Sequence, residues 1–130
     1  MIFIGIISYM DVFSYRNLRV YQGALQLVTS IYGILKSFPV EERYCLTDQL
    51  RRASVSIPSN LAEGSSRFSR KEQLHYIELS YGSLMEVMCQ IEISHNLGYV
   101  NDDNFNAIQS DVMVLAKQLS GLRTSMQSSR

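Results

Sequence analysis

Four stretches of the chain space their apolar residues by alternating steps of three and four, and this spacing restricts the possible folds most. The last stretch consists of Phe105, Ile108, Val112, Leu115, Leu119, Leu122 and Met126. Equivalent stripes occupy 20–38, 46–61 and 74–91. Residues three and four apart share one face of an α-helix, and a sustained seven-residue repeat favours left-handed packing at about 20°. No segment alternates as a strand would, so the sequence predicts an all-α, antiparallel, left-handed, up-and-down four-helix bundle.

Helix-capping residues predict where the helices begin and end. Thr47 is a candidate N-cap of the second helix, which would make 40–46 a separate turn. Ser69 and Glu72 form a capping box at the start of the third helix, and Gly98 closes it. The predicted helices are 14–37, 41–63, 69–97 and 101–124.

The length of 130 residues suits a single domain. We interpret 1–12 as an ill-ordered extension, 13–124 as the bundle and 125–130 as a frayed tail. The apolar start, MIFIGIISYM, is shorter than the roughly 20 residues of a membrane helix and lacks the flanks of a secretory signal. Met10 is an alternative start of translation. Cys45 and Cys89 match neither a zinc spacing nor a disulfide framework, so a cytoplasmic protein without membrane contact is predicted.

The segment 54–64, SVSIPSNLAEG, places a proline inside the second apolar stripe. Pro58 has no N–H for the Ser54 carbonyl, and a proline inside a helix costs about 3 kcal/mol. The short polar side chains around it are able to bond freed backbone groups. They are Ser54, Ser56, Ser59 and Asn60.

Two interpretations of this segment remain open. In the first, the helix stops at Ile57 and a polar turn follows. In the second, the helix is kinked at Pro58 and runs to Glu63, because Leu61 continues the apolar stripe. Gly64 lies where a left-handed C-cap would end the helix.

A helix that continues through the proline would direct Asn60 and Glu63 towards the third helix. We then expect Asn60 to be buried and bonded either to backbone near the kink or to a polar group of the third helix. Glu63 should reach backbone donors of the next turn or an arginine, first of all Arg67. The third helix offers Ser83 and Glu86 beside a glycine that would allow close approach. The predicted structural motif, with no catalytic role, is Ser56, Pro58, Asn60, Glu63, Gly64, Gly82, Ser83 and Glu86.

The string QLRRASVSIPSNLAEGSSR, with YGSLMEV further along, resembles a bacterial family of four-helix-bundle proteins. These proteins are encoded by intervening sequences inside 23S ribosomal RNA genes, and the resemblance covers about 13–122. It implies a left-handed bundle that assembles as a ring, a pentamer. A relative, the accessory subunit of diversity-generating retroelements, holds nucleic acid and a reverse transcriptase. No catalytic residues are known for the family, so the resemblance implies a fold and leaves the function open.

Charge is distributed unevenly along a chain whose net charge is zero. From 72 to 111 every charged residue is acidic. A basic cluster precedes this region, with only Glu63 against it: Arg51, Arg52, Arg67, Arg70 and Lys71. Either these residues form a solvated surface with weak ion pairs, or a ring repeats them as a rim that contacts nucleic acid. Phe68 is the one adjoining aromatic residue, which gives base stacking little support.

Two E-x-x-H motifs raise the question of a metal site, Glu72–His75 and Glu92–His95. They lie on the same predicted helix about 30 Å apart, so they cannot share a metal pair within one subunit. The sequence also has no glycine-rich phosphate loop and no pattern that places a nucleophile beside a base. We therefore predict no metal, no cofactor and no enzymatic activity.

The third predicted helix has a second apolar edge through Leu79, Gly82, Cys89 and Ile93. A helix that is apolar on two sides must bury both. The second edge is either a subunit interface or part of a wide core stripe.

Two functions are consistent with these features. The first is a non-catalytic homo-oligomeric scaffold, a pentameric ring, that binds nucleic acid, RNA in the first place, through the basic rim. The alternative is a protein–protein adapter that docks a partner enzyme such as a reverse transcriptase without touching nucleic acid. Salt-dependent retention of nucleic acid separates the two, because phosphate contacts weaken steeply with salt.

Overall fold

A computed structural model describes residues 12–128, and within that range the chain forms helices and no strands. Two short 3-10 helices precede α1 and α2, at Ser14–Asn17 and Val40–Glu42. The long helices are α1 (Arg19–Leu35), α2 (Leu46–Ser65), α3 (Arg70–Asn96) and α4 (Asp102–Ser128). The all-α prediction with four helices is confirmed. None of these helices is long and apolar enough to cross a membrane.

The helices α2 and α3 run antiparallel. Ser56 of α2 meets Ser83 of α3, and Gln49, earlier on α2, meets Gln90, later on α3. Each helix packs on the next along the chain, and α4 packs back on α1, which gives an up-and-down bundle. The left-handed twist and the kink at Pro58 stay predictions.

The ends of the described chain differ in part from the predicted domains. The stretch 14–17 forms a 3-10 helix, so α1 itself begins at Arg19. α4 continues to Ser128 and takes in most of the predicted tail. Residues 1–11 and 129–130 lie outside the described range, and with them lies nearly all of the predicted extension.

The core is built mainly from the predicted apolar stripes, except on α3. Side chains that are almost fully excluded from solvent include Leu27, Ile31, Leu50, Ile57, Leu84, Ile91, Ile108 and Leu119. On α3 the buried face also contains Ser80, Val87 and Ser94, whereas Tyr81 of the predicted stripe is exposed. The core face of α3 is therefore turned towards α2, whose Ile57 carbonyl accepts a hydrogen bond from Ser80.

Polar capping groups define several helix ends. The Glu72 N–H donates to Ser69 Oγ at 3.1 Å, as the capping box predicts. Thr47 is not the N-cap of α2: it lies inside the helix and is 7% exposed. A carboxylate of the preceding 3-10 turn takes that role, since Glu42 Oε1 accepts from the Leu46 N–H at 3.3 Å.

α2 continues through Pro58 to Ser65, so the helix does not stop at Ile57. Gly64 is helical and buried, and it is not a left-handed cap; among residues 12–128 the one glycine with positive φ is Gly98, at 85°.

Close approach of α2 and α3 depends on Gly64. A Cβ atom at Gly64 would lie 2.6 Å from Tyr76 Cβ, whereas one at Gly82 would have no neighbour within 4 Å. The predicted role of Gly82 in close approach is therefore wrong, since Gly82 faces solvent. Tyr76 packs directly over the α2 backbone because position 64 has no side chain.

These two glycines give a matched pair for a stability test. Gly64→Ala should lower the free energy of unfolding by about 1–3 kcal/mol, since the new methyl group has to displace Tyr76. Gly82→Ala should leave it unchanged or raise it by up to about 1 kcal/mol, because alanine is the better helix former. Urea denaturation followed by circular dichroism measures both, and equal effects would contradict the close approach at Gly64.

Candidate nucleic-acid interface

Side chains of α2 make hydrogen bonds to its own backbone around Pro58. Asn60 Nδ2 donates to the Ser56 carbonyl at 2.8 Å, and Ser56 Oγ lies 2.8 Å from the Ala53 carbonyl. Asn60 is half-buried and not fully buried as predicted, and its bond goes to backbone one turn before it. These contacts add hydrogen bonds in the turn where the proline removes a backbone donor.

Two further hydrogen bonds join α2 to α3 at the same level. Ser80 Oγ donates to the Ile57 carbonyl at 2.9 Å, in a fully buried position. Ser56 Oγ lies 2.6 Å from Ser83 Oγ. Because a hydroxyl carries one proton, Ser56 donates to its own helix and accepts from Ser83. The two helices are thus held together by backbone and hydroxyl groups as well as by apolar contact.

The remaining predicted motif residues are partly separated in space. Glu63 is exposed and accepts from Arg67 at 2.9 Å, one of its two predicted contacts. Ser83 meets Ser56 and not Asn60. Glu86 is exposed and accepts from a glutamine of its own helix at 3.1 Å. The structural role of the whole motif stays a prediction.

Two serine variants distinguish the hydrogen bond between α2 and α3 from a hydrogen bond within α3. Ser80→Ala should lower the free energy of unfolding by about 1 kcal/mol, because it removes a buried hydrogen bond between helices. Ser94→Ala is the matched control, since Ser94 is equally buried but its Oγ bonds the Gln90 carbonyl of its own helix at 2.7 Å. Such local bonds contribute little to helix stability. Thermal unfolding that shifted equally in both variants would contradict a special role for Ser80.

The five predicted basic residues form two groups and not one cluster. Arg51 and Arg52 lie in the first half of α2, and Arg67, Arg70 and Lys71 lie at and after its end. At 1.5 Å per residue, Arg51 and Arg67 are roughly 24 Å apart along the helix axis. A single phosphate therefore cannot contact both groups.

The first group is engaged in contacts on the surface. The Arg51 guanidinium lies 5.7 Å from the centre of the Tyr32 ring. Arg52 Nε donates to Asp48 one turn before it, at 3.1 Å. An acidic partner so close lowers the positive potential around Arg52.

Arg67 is held against an aromatic ring at the other end of α2. Its guanidinium lies 4.8 Å from the centre of the Tyr76 ring and donates to Tyr76 Oη at 2.6 Å. The charge interaction with Tyr76 raises the pKa of Arg67 above its ordinary value, partial burial opposes this, and hydrogen bonds with Tyr76 and Glu63 raise it further. Arg67 therefore keeps its positive charge at every physiological pH.

Arg70 and Lys71 extend the positive charge onto the first turn of α3. Arg70 Nη1 donates to the Met126 carbonyl, which connects the start of α3 to the end of α4. Lys71 is exposed and lies beside a surface depression that also involves His75 and Gln127.

The bundle topology brings further basic residues to this end, which the sequence reasoning missed. Arg16 lies in the 3-10 helix before α1, and Arg19 is the first residue of α1. Arg123 lies near the end of α4, 3.4 Å from Glu78. The sequence signal for them was the up-and-down order itself, which places the start of α1 and the end of α4 beside the α2–α3 turn. We call the following set the basic end: Arg16, Arg19, Arg67, Arg70, Lys71 and Arg123.

The opposite end is mainly acidic, with Lys36 and Arg43 as its cations. It collects most of the remaining carboxylates, among them Glu41, Glu42, Asp48, Glu92, Asp102 and Asp103. The neutral chain therefore has a strong charge separation along the bundle axis.

An aromatic side chain protrudes from the basic end. Phe68 lies in the α2–α3 turn between Arg67 and Arg70, and its exposed fraction is 105% of the reference value. Such a ring has its whole face available for contact.

The histidines of the two E-x-x-H motifs contact aromatic rings and a carboxylate. His95 Nε2 lies 2.7 Å from Asp102 Oδ1 and its ring stacks on Phe105. The His75 ring packs edge-on against Tyr76. Within residues 12–128 there is no group of three or more His, Cys, Asp and Glu side chains that could hold a metal ion.

The fold and the charge distribution define a small four-helix bundle with one basic and one acidic end. The chain belongs to the 23S rRNA-intervening sequence protein family, whose model matches residues 16–121. The family suggested by the sequence strings is thereby confirmed. A search of curated proteins found no significant match.

A solved structure shows the same fold. It is the crystal structure of a protein with unknown function from the S23 ribosomal protein family of Bacteroides thetaiotaomicron, with a TM-score of 0.73. The two sequences are 20% identical, and the match covers 80% of this chain and 97% of the other. At this identity the likeness extends to the fold alone.

Proposed function

We propose that the protein is a non-catalytic homo-oligomeric scaffold that holds nucleic acid at its basic end. The observation that carries this proposal is that α1, the α2–α3 turn, α3 and α4 all contribute cations to one end of the bundle. RNA is the first candidate ligand, since the family is named for sequences within 23S rRNA.

A net charge of zero does not oppose this function, because the acidic residues lie mainly at the far end. Phosphate binding depends on the local potential, and each neutralised phosphate releases condensed counterions. Within the basic end the acids are few: Glu63, Glu72 and Glu78. A local excess of cations is therefore present at the surface where a strand would bind.

The outer face of α3 supports assembly into oligomers. The second apolar edge predicted for α3 does not belong to the core: Leu79 is 42% exposed, Ile93 is 43% exposed, and Cys89 also faces solvent. Met85 and Leu97 extend this face, which we call the outer α3 face. Exposed apolar surface that continues along a helix is typical of an interface. The five-fold ring follows from the family resemblance alone.

Light scattering tests the assembly. We expect the wild-type protein to have a mass several times the 14.8 kDa of one chain, and Ile93→Lys to shift it towards a single chain. Met113→Lys is the matched control, since Met113 is exposed on α4, outside the outer α3 face. A single-chain mass for the wild type at micromolar concentration would refute the homo-oligomer.

Charge reversal tests the ligand and the end that binds it. The double substitution Arg70→Glu with Lys71→Glu should abolish retention of a fluorescent RNA at low salt. Arg51→Glu with Arg52→Glu changes the net charge equally and should leave most of the retention. Each phosphate contact that is lost should reduce the slope of log affinity against log salt by about one.

As a control, the circular dichroism spectrum and the mass of the oligomer have to stay unchanged in both double variants. If both double variants lost RNA retention equally, RNA binding would depend on the net charge of the protein and not on the position of the cations on the bundle. If the wild type retains no RNA or DNA at low salt, nucleic-acid binding fails. The outer α3 face would then favour the adapter that docks a partner enzyme.

A further inference from the structure

A cavity of about 210 Å³ opens at the basic end, between the ends of all four helices. Its walls are mainly apolar, with contributions from Leu61, Ile77 and Leu122. Asn60, Gln73 and Tyr76 add polar atoms to the lining. A cavity lined in this way favours a flat, largely apolar group that carries a few hydrogen-bonding atoms.

Two residues that line this cavity, Asn60 and Gln73, have side-chain amide oxygens that can accept hydrogen bonds. Asn60 Nδ2 donates to the Ser56 carbonyl and Gln73 Nε2 to the Arg67 carbonyl, each at 2.8 Å. Because a carbonyl can only accept, both amides must turn their NH₂ groups towards backbone. Their oxygens accept no hydrogen bond from any residue between 12 and 128. A ligand with N–H donors would satisfy them.

The volume limits the size of that ligand. A protein cavity of about 150 Å³ takes up benzene, and sites for drug-sized molecules start at about 300 Å³. A volume of about 210 Å³ thus suits one aromatic heterocycle.

Two arginines contact residues that line the cavity. Tyr76, a lining residue, accepts a hydrogen bond from the Arg67 guanidinium, and Gln73 donates to the Arg67 backbone carbonyl. Met126, another lining residue, accepts a hydrogen bond from Arg70 through its carbonyl. An aromatic ring inside the cavity and an anion outside it would both be accommodated.

We propose that the cavity receives one unpaired base with an amino group, from a single strand whose phosphates lie on Arg70 and Lys71. This rests on the proposed function and specifies its ligand as single-stranded nucleic acid. The exocyclic NH₂ group of adenine, cytosine or guanine supplies two N–H donors for the two amide oxygens, whereas uracil has a single ring N–H. A base inside a duplex is paired and stacked, so it cannot enter.

Filling the cavity tests this directly. Leu122→Phe adds volume to a half-buried wall, and Met113→Phe adds the same ring on the exposed side of α4. The probes are fluorescent short oligoadenylate, oligouridylate and an RNA duplex, at low salt. The wild type and Met113→Phe should bind oligoadenylate about tenfold more tightly than duplex. Leu122→Phe should lose this advantage and keep the duplex affinity.

A second variant addresses the acceptors. Gln73→Leu keeps the approximate size of the side chain but removes its oxygen, so the preference for oligoadenylate over oligouridylate should fall by about fivefold or more. It also decides the question if Leu122→Phe does not fold.

The outcomes are distinguishable. If Leu122→Phe and Gln73→Leu both keep the wild-type preferences, the cavity does not hold a base, although the basic end still binds nucleic acid. If the wild type retains neither single strands nor duplex, the proposed function itself fails and this inference fails with it.

Discussion

The contact between α2 and α3 around Pro58 is the constraint on which the other features of the bundle depend. A proline in a helix interior removes one backbone hydrogen bond and crowds the preceding turn. Here Ser80 donates from α3 to the Ile57 carbonyl, and Asn60 donates to the Ser56 carbonyl. The bond from Ser80 requires α3 to lie very close to α2. With both bonds, the helix continues beyond the proline by about two turns.

The continuation of α2 decides where the basic residues lie. Because α2 ends at Ser65, Arg67 falls in a short turn at the end of the bundle. There Tyr76 makes two kinds of contact. Its Cβ packs over Gly64, and its ring and hydroxyl group position the Arg67 guanidinium. Exposed ion pairs contribute little by themselves, so the ring contact fixes Arg67 more than its pairing with Glu63 does. The turn that carries Phe68 is held by the same contacts.

Symmetry would connect the outer α3 face with the basic end. In a closed ring all subunits point the same way along the rotation axis. If the bundle axes run along the rotation axis, assembly through one side of the bundle would place every basic end on one face of the ring and every acidic end on the other. A chain without net charge would then present a continuous positive surface, which is what sequence-independent binding of a phosphate backbone requires.

The sequence by itself determined the number of helices, the all-α class and most of the core of α1 and α4. These features follow from apolar spacing, which acts within each helix and does not depend on the neighbours. The same local reasoning found the capping box at Ser69 and favoured a helix that continues to Leu61. It could not choose between a stopped and a continued α2, because one hydrogen bond to the α2 backbone beside the proline comes from Ser80 of α3.

The tertiary structure decided which face of α3 is buried, which glycine allows close approach and which cations share one end. Ser80 is polar, so its spacing gave no sign that it faces the core, and only the α2 carbonyl opposite it explains its burial. Gly64 and Gly82 look alike in the sequence, and Tyr76 distinguishes them. Only the helix lengths and chain directions show that Arg51 lies away from the basic end and that Arg123 belongs to it. Interactions between segments far apart in the chain depend on distances that no local repeat specifies.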